Sequence, residues 1–356
     1  MSGAPAPAAA DVAFGVDIGG TKVLGIALGP DNQVVAEARV PTPASSPHAG
    51  PDQSGRTAQG DGREVADAIA DVVAQLHGAH GSNSAPGAHG SNSAPAIGVS
   101  IGIGAPGMLD QEGALCFSPN LPQAQGVDWK VLMRERLPGR RIVIENDANL
   151  AVLAEHRLGA ARGYRHVVMV TLGTGIGGGL IVDGRVEVGG HGFAGEIGHM
   201  VVDPAGPPCP CGRRGCWERF ASGGGLGLMA REAALAGRLP AVVALAGGDP
   251  EAVRGEDVTG AALVGDADAK REIEQVGWWV GFGLANLACV LDPECFVLGG
   301  GLVGAGELLL DSTRRAFGEL VEGGAARPPT PIVPAAFGER AGAVGAALAA
   351  RRGGLA

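Results

Sequence analysis

The sequence predicts a two-lobed α/β protein, and three observations predict it. Residues 12–40 read as strand, glycine turn, strand, turn and strand; the same grammar returns at 166–188; and segments with helical periodicity follow each of these meanders. With 356 residues and 46% apolar composition, the chain has material for one large two-lobed domain or two ordinary ones. Its 63 glycines fall largely in short runs at the ends of apolar strand-like segments, where they read as ligand loops rather than disorder.

Taken in order, VAFGVD, VLGIAL and VVAEARV form the first meander, joined by IGGTK and a turn at PDN. Residues 41–63 read as a surface loop, and EVADAIADVVAQLH near 64–77 as a short amphipathic helix. The nonapeptide GAHGSNSAP then occurs twice in tandem over 78–95; it has almost no apolar content to pack and is expected to be a disordered insertion, with His80 and His89 as loop residues. A strand follows at 97–103, a turn GAPG at 104–107, and a strand RIVIE at 141–145 running into the helical NDANLAVLAEHRLG. The second meander is HVVMVTL, a glycine turn GTGIGGG, LIV, a DG turn and RVEV. A long buried helix is expected at 268–291, with Trp278 and Trp279 in the core, then a strand ECFVL ending in Gly299-Gly300-Gly301, and a final helix GAVGAALAARR.

The formal net charge is −10 and no Lys/Arg stripe occurs, so nucleic acid and membrane surfaces are not expected partners and a small molecule is. The N-terminal MSGAPAPAAADV has neither a basic segment nor an apolar one, and no run of 18 apolar residues exists; a soluble, cytoplasmic protein is the expectation. In that compartment thiols stay reduced, and clustered cysteines bind metal more often than they pair. Of six cysteines, Cys116, Cys289 and Cys295 sit among apolar neighbours and read as core.

Four stretches carry chemistry. DIGGTK at 17–22 places Asp17 at a strand end, before a turn whose backbone amides can approach phosphate, with Lys22 adding a positive charge; an ordinary hairpin reads equally well. Gly173-x-Gly175-x-x-Gly178 matches a dinucleotide fingerprint, yet the chain continues as strand instead of opening a helix, which disfavours a Rossmann dehydrogenase and leaves Thr171, Gly173 and Thr174 as a second phosphate turn. Asp147 stands where a strand gives way to a helix: it is either an N-cap or a carboxylate, kept ionised by the helix dipole, that accepts a hydroxyl proton. Finally His199, Cys209, Cys211 and Cys216 supply one imidazole and three thiolates, the ligand set of a closed tetrahedral Zn²⁺ site with a structural role. Glu196 and Glu218 bracket that cluster, as cleft carboxylates or as plain surface acids.

DIGGTK, GAPG, ENDAN at 145–149, TLGTGIGGG at 171–179, GEIGH at 195–199 and CPCGRRGCWE at 209–218 occur in the order found in ROK-family sugar kinases, which the chain resembles from about residue 12 onward. The resemblance implies an actin-like (ribonuclease-H-like) ATPase fold with two lobes around a central cleft: a smaller lobe of 1–147 plus 341–356 and a larger one of 148–340 carrying the zinc loop. It implies an ATP-dependent kinase acting on the 6-hydroxyl of glucose, with Asp147 as general base. Asn146, Glu196, His199 and Glu218 resemble hydroxyl-binding residues, and Gly104, Ala105, Pro106 and Gly107 a turn lining the sugar pocket; Asn120 is a further sugar-contacting residue, followed by a segment, PQAQGVDW, that is stretched relative to the family. Asp17, Gly19, Gly20, Thr21 and Lys22 resemble the first phosphate loop, Thr171, Gly173 and Thr174 the second, and Gly299 and Gly300 the adenosine-contacting turn. ATP, catalytic Mg²⁺ held through water by Asp17, structural Zn²⁺ and a homodimer or homotetramer complete the expectation. The rival within the enzyme class is an N-acetylmannosamine or N-acetylglucosamine kinase. A non-catalytic sugar sensor is the rival outside it, and a repressor is disfavoured because no helix-turn-helix precedes the first phosphate motif.

Overall fold

The structure is a computed structural model that describes residues 12–43, 62–82, 99–110, 113–118, 121 and 126–355. The chain divides into two compact units. One comprises Met1–Ala154, Val188–Ala194 and Arg340–Ala356, and the other Glu155–Glu187 and Gly195–Glu339.

The first unit opens with the antiparallel meander β1 (Ala13–Ile18), β2 (Lys22–Leu28) and β3 (Val34–Pro41). After α1 (Arg63–Ser82), strand β4 (Ile101–Ala105) lies parallel to β1. A small hairpin, β5 (Met108–Leu109) and β6 (Leu115–Phe117), and α2 (Trp129–Arg136) precede β7 (Ile142–Asn146), parallel to β4, and α3 (Asp147–Leu158). The sheet order is β3-β2-β1-β4-β7.

Alternation along β1 divides its side chains between two faces. Phe14, Val16 and Ile18 join Val65, Ile69, Val72 and Leu76 of α1 in a buried cluster, and Gly25 of β2 gives α1 room to approach. Gly15 and Asp17 point to the opposite face. Helix α1 runs five residues beyond the expected end at 77, so the first repeat begins helical. An amphipathic helix already nucleated extends at little cost through Gly78 and Ala79. The rest of the repeat, 83–95, lies outside the described residues.

The second unit repeats the plan. Strands β8 (Val167–Leu172), β9 (Ile176–Val182) and β10 (Arg185–Val186) form the meander. Helices α4 (Glu218–Ala221), α5 (Gly223–Leu235), α6 (Pro240–Leu245), α7 (Gly255–Leu263) and α8 (Ala267–Leu291) follow, then β11 (Cys295–Gly299), α9 (Glu307–Leu320) and β12 (Ile332–Pro334). The order β10-β9-β8-β11-β12, with the meander antiparallel and the last two strands parallel, reproduces the first sheet strand for strand.

Helix α10 (Ala341–Arg352) returns to the first unit and covers the face bearing Gly15 and Asp17. Its backbone comes so close that a Cβ on Gly15 or Gly102 would stand 1.9 Å from a helix carbonyl, Ala343 O or Ala346 O. On the other side Gly345 lies against α3, where a Cβ would meet Leu150 O at 1.8 Å. This contact explains the Ala/Gly composition of α10.

Four residues expected in the core are not fully buried. Trp278 is 39% exposed and Trp279 half-buried, because α8 turns that face outward and buries Ile273, Val276, Val280 and Leu284 instead. Cys116 and Cys289 are exposed, whereas Cys295 is buried as expected. No described helix is long and apolar enough to cross a membrane.

Candidate active site

In the first unit, β1, β4 and β7 carry the candidate site residues at their C-terminal ends, where open α/β sheets bind ligands. Register sets Asp17 beside Gly104, and Gly104 beside Glu145. Gly104 is the gap in this row: a Cβ there would lie 3.1 Å from Asp17 Oδ1 and 3.5 Å from the Asp147 Cα, so the Asp17 carboxyl and the backbone of Asp147 flank a position with no side chain. Gly342 of α10 packs against the Asp17 carboxyl, where a Cβ would sit 2.6 Å from its Cγ.

Helix α3 begins at Asp147, and its N-cap is Asn146, whose side-chain oxygen accepts from Asn149 N at 3.0 Å. Asp147 is thus not the cap. It accepts from Ala148 N at 2.8 Å, and this bond lowers its pKa, but burial outweighs it and raises the carboxyl to about 6. The helix terminus alone, which argued for full ionisation, therefore gave the wrong direction. Burial, then the charge of Asp147, pushes Asp17 up to about 8 despite the Lys22 ammonium nearby. Asp17 Oδ1 is shut off from solvent without a hydrogen-bond partner.

Asn146 also donates to Gly107 O at 3.0 Å, which ties the GAPG segment to the start of α3. Gly104 and Ala105 finish β4, so only Pro106 and Gly107 form the turn. Ser118 fixes it by donating to Pro106 O at 2.7 Å, and Gly107, at φ +112°, admits no side chain because Phe117 O lies in the way. The turn Gly19-Gly20-Thr21 closes on Lys22, with Gly19 N donating to Lys22 O at 2.9 Å and Thr42 Oγ1 to Gly19 O at 2.6 Å. Asn120 lies outside the described residues.

In the second unit the glycine turn is shorter than the motif. Only 173–175 turn, while Ile176 to Gly179 belong to β9. The later glycines serve packing: a Cβ on Gly178 would meet Gly195 O at 2.4 Å, and one on Gly198 would meet Ile176 O at 2.3 Å. GEIGH therefore lies backbone to backbone on β9, which sets Glu196 and His199. Gly299 pairs with Thr171 across β8 and β11, and Gly300, at φ +87°, abuts Leu172, where a Cβ would lie 2.5 Å from the carbonyl. Thr171, Gly173, Thr174, Gly299 and Gly300 are thereby gathered at adjoining strand ends.

His199, Cys209, Cys211 and Cys216 offer ligand atoms all within 4.8 Å of one another. Cys211 Sγ and Cys216 Sγ are 3.6 Å apart, and Cys209 Sγ lies 3.8 Å from His199 Nδ1. Tetrahedral zinc with its ordinary bond lengths holds such atoms about 3.5–3.8 Å apart, so donor set and spacing fit that metal. Gly215 makes the loop feasible, at φ +66° with a Cβ position 1.5 Å from Asp203 O. Trp217 anchors it, fully buried in a slot left by Gly283 and donating from Nε1 to Trp279 O at 2.7 Å.

Glu218 opens α4 beside the cluster, accepting from Cys209 Sγ at 3.0 Å and lying 3.9 Å from His199 Nδ1. The far ring nitrogen, Nε2, lies 3.9 Å from Glu196. One imidazole thus faces the cysteines and Glu218 with one edge and Glu196 with the other.

Sequence reading missed Ser222, Trp217 with Gly283, and Glu155. Glu155 is fully buried and accepts from the backbone of Ala160, Ala336 and Phe337. Its signal was a lone acid in the apolar run of α3; Ser222 and Gly283 gave none.

Two α/β units with one repeated strand order, each carrying candidate site residues at parallel strand ends, define the actin-like ATPase class of fold. The chain belongs to the ROK family, which it matches over residues 90–352. It is 36% identical over 342 residues to a glucokinase of Streptomyces coelicolor, spanning 95% of this chain and 97% of that one. An N-acetyl-D-glucosamine kinase of Erwinia tasmaniensis is 31% identical over 94% of this chain and 98% of its own. Among solved structures, a ROK glucokinase from Streptomyces griseus in complex with glucose and AMPPNP superposes with a TM-score of 0.79 at 35% identity, covering 96% of this chain and 99% of that one.

Proposed function

We propose that this chain is an ATP-dependent sugar kinase that phosphorylates the 6-hydroxyl of glucose. The observation that carries the proposal is the Asp147 carboxyl, buried at the start of α3 and raised to about 6, in a chain similar over almost its whole length to glucokinases. A base of that pKa is largely ionised at neutral pH yet basic enough to take a hydroxyl proton as the oxygen attacks phosphorus. Asn146 caps α3 and, through Gly107, steadies the turn beside it. Glu196, His199, Glu218 and Asn120 serve as the remaining partners of sugar hydroxyls, and a carboxylate left unpaired by a wrong epimer makes that epimer costly.

Phosphoryl transfer needs positioning and charge neutralisation more than covalent chemistry. The turns at Gly19–Lys22 and Thr171–Thr174, with Gly299 and Gly300, supply backbone amides to the nucleotide. The orphaned Asp17 Oδ1 fits a nearby cation, so Asp17 would hold Mg²⁺ through water, and that ion would neutralise phosphate charge. His199, Cys209, Cys211 and Cys216 would hold Zn²⁺ with no open coordination position, so the metal fixes the loop and takes no part in the chemistry. A cytoplasmic homodimer or homotetramer completes the proposal.

The likeness to an N-acetyl-D-glucosamine kinase favours a second reading, phosphorylation of an acetylated amino sugar. Mg-ATP-dependent ADP production over glucose, mannose, fructose, N-acetylglucosamine and N-acetylmannosamine separates the two. A higher kcat/KM for glucose is expected; a preference for an acetylated sugar replaces the first reading by the second, and no turnover with any sugar removes both.

A further inference from the structure

Ser222 caps α5 and is 1% exposed. Its hydroxyl accepts from Gly225 N at 2.9 Å and faces two carbonyls, Glu218 O at 2.6 Å and Thr174 O at 3.1 Å. A hydroxyl has a single proton to donate, so Ser222 shares it between the helix bearing Glu218 and the turn after β8. The next two amides complete the tie: Gly223 N donates to Gly173 O at 2.8 Å and Gly224 N to Thr174 O at 3.2 Å.

These bonds fix the direction of two peptide planes. In a trans peptide, carbonyl and N–H point opposite ways. With the Gly173 and Thr174 carbonyls turned onto α5, the N–H groups of Thr174 and Gly175 point away from it, the arrangement of an anion-binding backbone concavity. Only glycine allows so close an approach, since a Cβ at 224 would lie 2.4 Å from Thr174 O. Glu218 also reaches this turn with its side chain: its Oε2 accepts from Ile176 N at 3.4 Å and would stand 2.6 Å from a Cβ on Gly175.

We propose that Ser222, with the Gly223 and Gly224 amides, is a positioning residue that locks the phosphate-facing turn 173–175 to the sugar-facing carboxylate Glu218, so that sugar and nucleotide strengthen each other's binding. The proposal rests on the kinase reading, which gives Glu218 to the sugar and the turn to phosphate. A ligand that orders Glu218 then orders the turn in advance for the next, and the coupling is reciprocal.

The test is calorimetric titration of the full chain with glucose, with Mg-AMPPNP, and with each in the presence of the other, for wild type, Ser222→Ala and Ser222→Thr, with zinc content and Tm alongside. In wild type, saturating glucose is expected to tighten Mg-AMPPNP binding by about fivefold or more. Ser222→Ala should weaken Mg-AMPPNP by about tenfold and bring the coupling factor close to one while zinc is retained, and Ser222→Thr, which keeps the hydroxyl, should recover most of both. A role confined to capping α5 would lower Tm in Ser222→Ala and leave the coupling factor at its wild-type value, which overturns the proposal. So does a wild-type chain that phosphorylates glucose with a coupling factor of one, and there the kinase reading stands. A wild-type chain that turns over no sugar overturns the kinase reading and the proposal with it.

Discussion

Lowering the pH from 7 to 5.5 should cost this protein about fourfold in kcat/KM for its sugar. Burial raises Asp147 to about 6, and a general base at Asp147, as proposed, must be ionised to accept a proton. The ionised fraction is about nine-tenths at pH 7 and about one-quarter at pH 5.5. Stability should move the other way. Asp147 and Asp17 both have raised pKa values, so the folded chain takes up their protons more readily than the unfolded one. Their contribution to stability is complete below the ordinary carboxylate range and is lost as pH rises through about 6 for Asp147 and about 8 for Asp17. Initial rates at saturating Mg-ATP, paired with thermal unfolding of the ligand-free protein and zinc content at each pH, test both halves. An acid limb that stays flat down to pH 5.5 would refute the assignment of the base, and activity that falls in step with Tm would show that unfolding causes the loss.

Three further predictions follow from the same geometry. Asp147→Asn should keep the fold and bind glucose within about threefold of wild type while kcat drops by about 10²–10⁴; near-normal turnover would remove Asp147 from its role. Purified protein should carry about one zinc per chain, and Cys216→Ser should lower both the metal content and, by about 5–10 °C, the Tm; elemental analysis without stoichiometric zinc would end the assignment. Gly345→Ala, which sets a Cβ 1.8 Å from Leu150 O, should destabilise the chain by about 3 kcal/mol or more in chemical denaturation; an unchanged midpoint would contradict the close approach of α10 to α3.

Much of the fold was legible because local rules sufficed. Strand alternation and glycine turns marked both meanders, whereas the parallel pairing of the later strands, and with it the strand order, came from the structure. The clustering of His199 with Cys209, Cys211 and Cys216 was legible for a similar reason: three cysteines within eight positions and one nearby histidine are close in the chain before it folds. The dinucleotide-like glycines were legible in a negative sense, since β9 continues where the fingerprint requires a helix. Burial of single side chains was not. Trp278 and Cys289 look apolar in sequence, but the direction of their helix face is set by what packs against it.

The sequence by itself determined the duplicated architecture, the order of motifs and the chemical types available, because these depend on periodicity and spacing along one dimension. Tertiary structure decided how those groups behave. It made Asn146 the cap and left Asp147 as a buried acid, since the pKa depends on desolvation that no linear pattern records. It also turned the Gly173 and Thr174 carbonyls onto α5, which fixed the direction of their amides through hydrogen bonds between residues about 50 positions apart. Contacts of that range are selected by the packing of whole elements, so they exist only once the chain has folded.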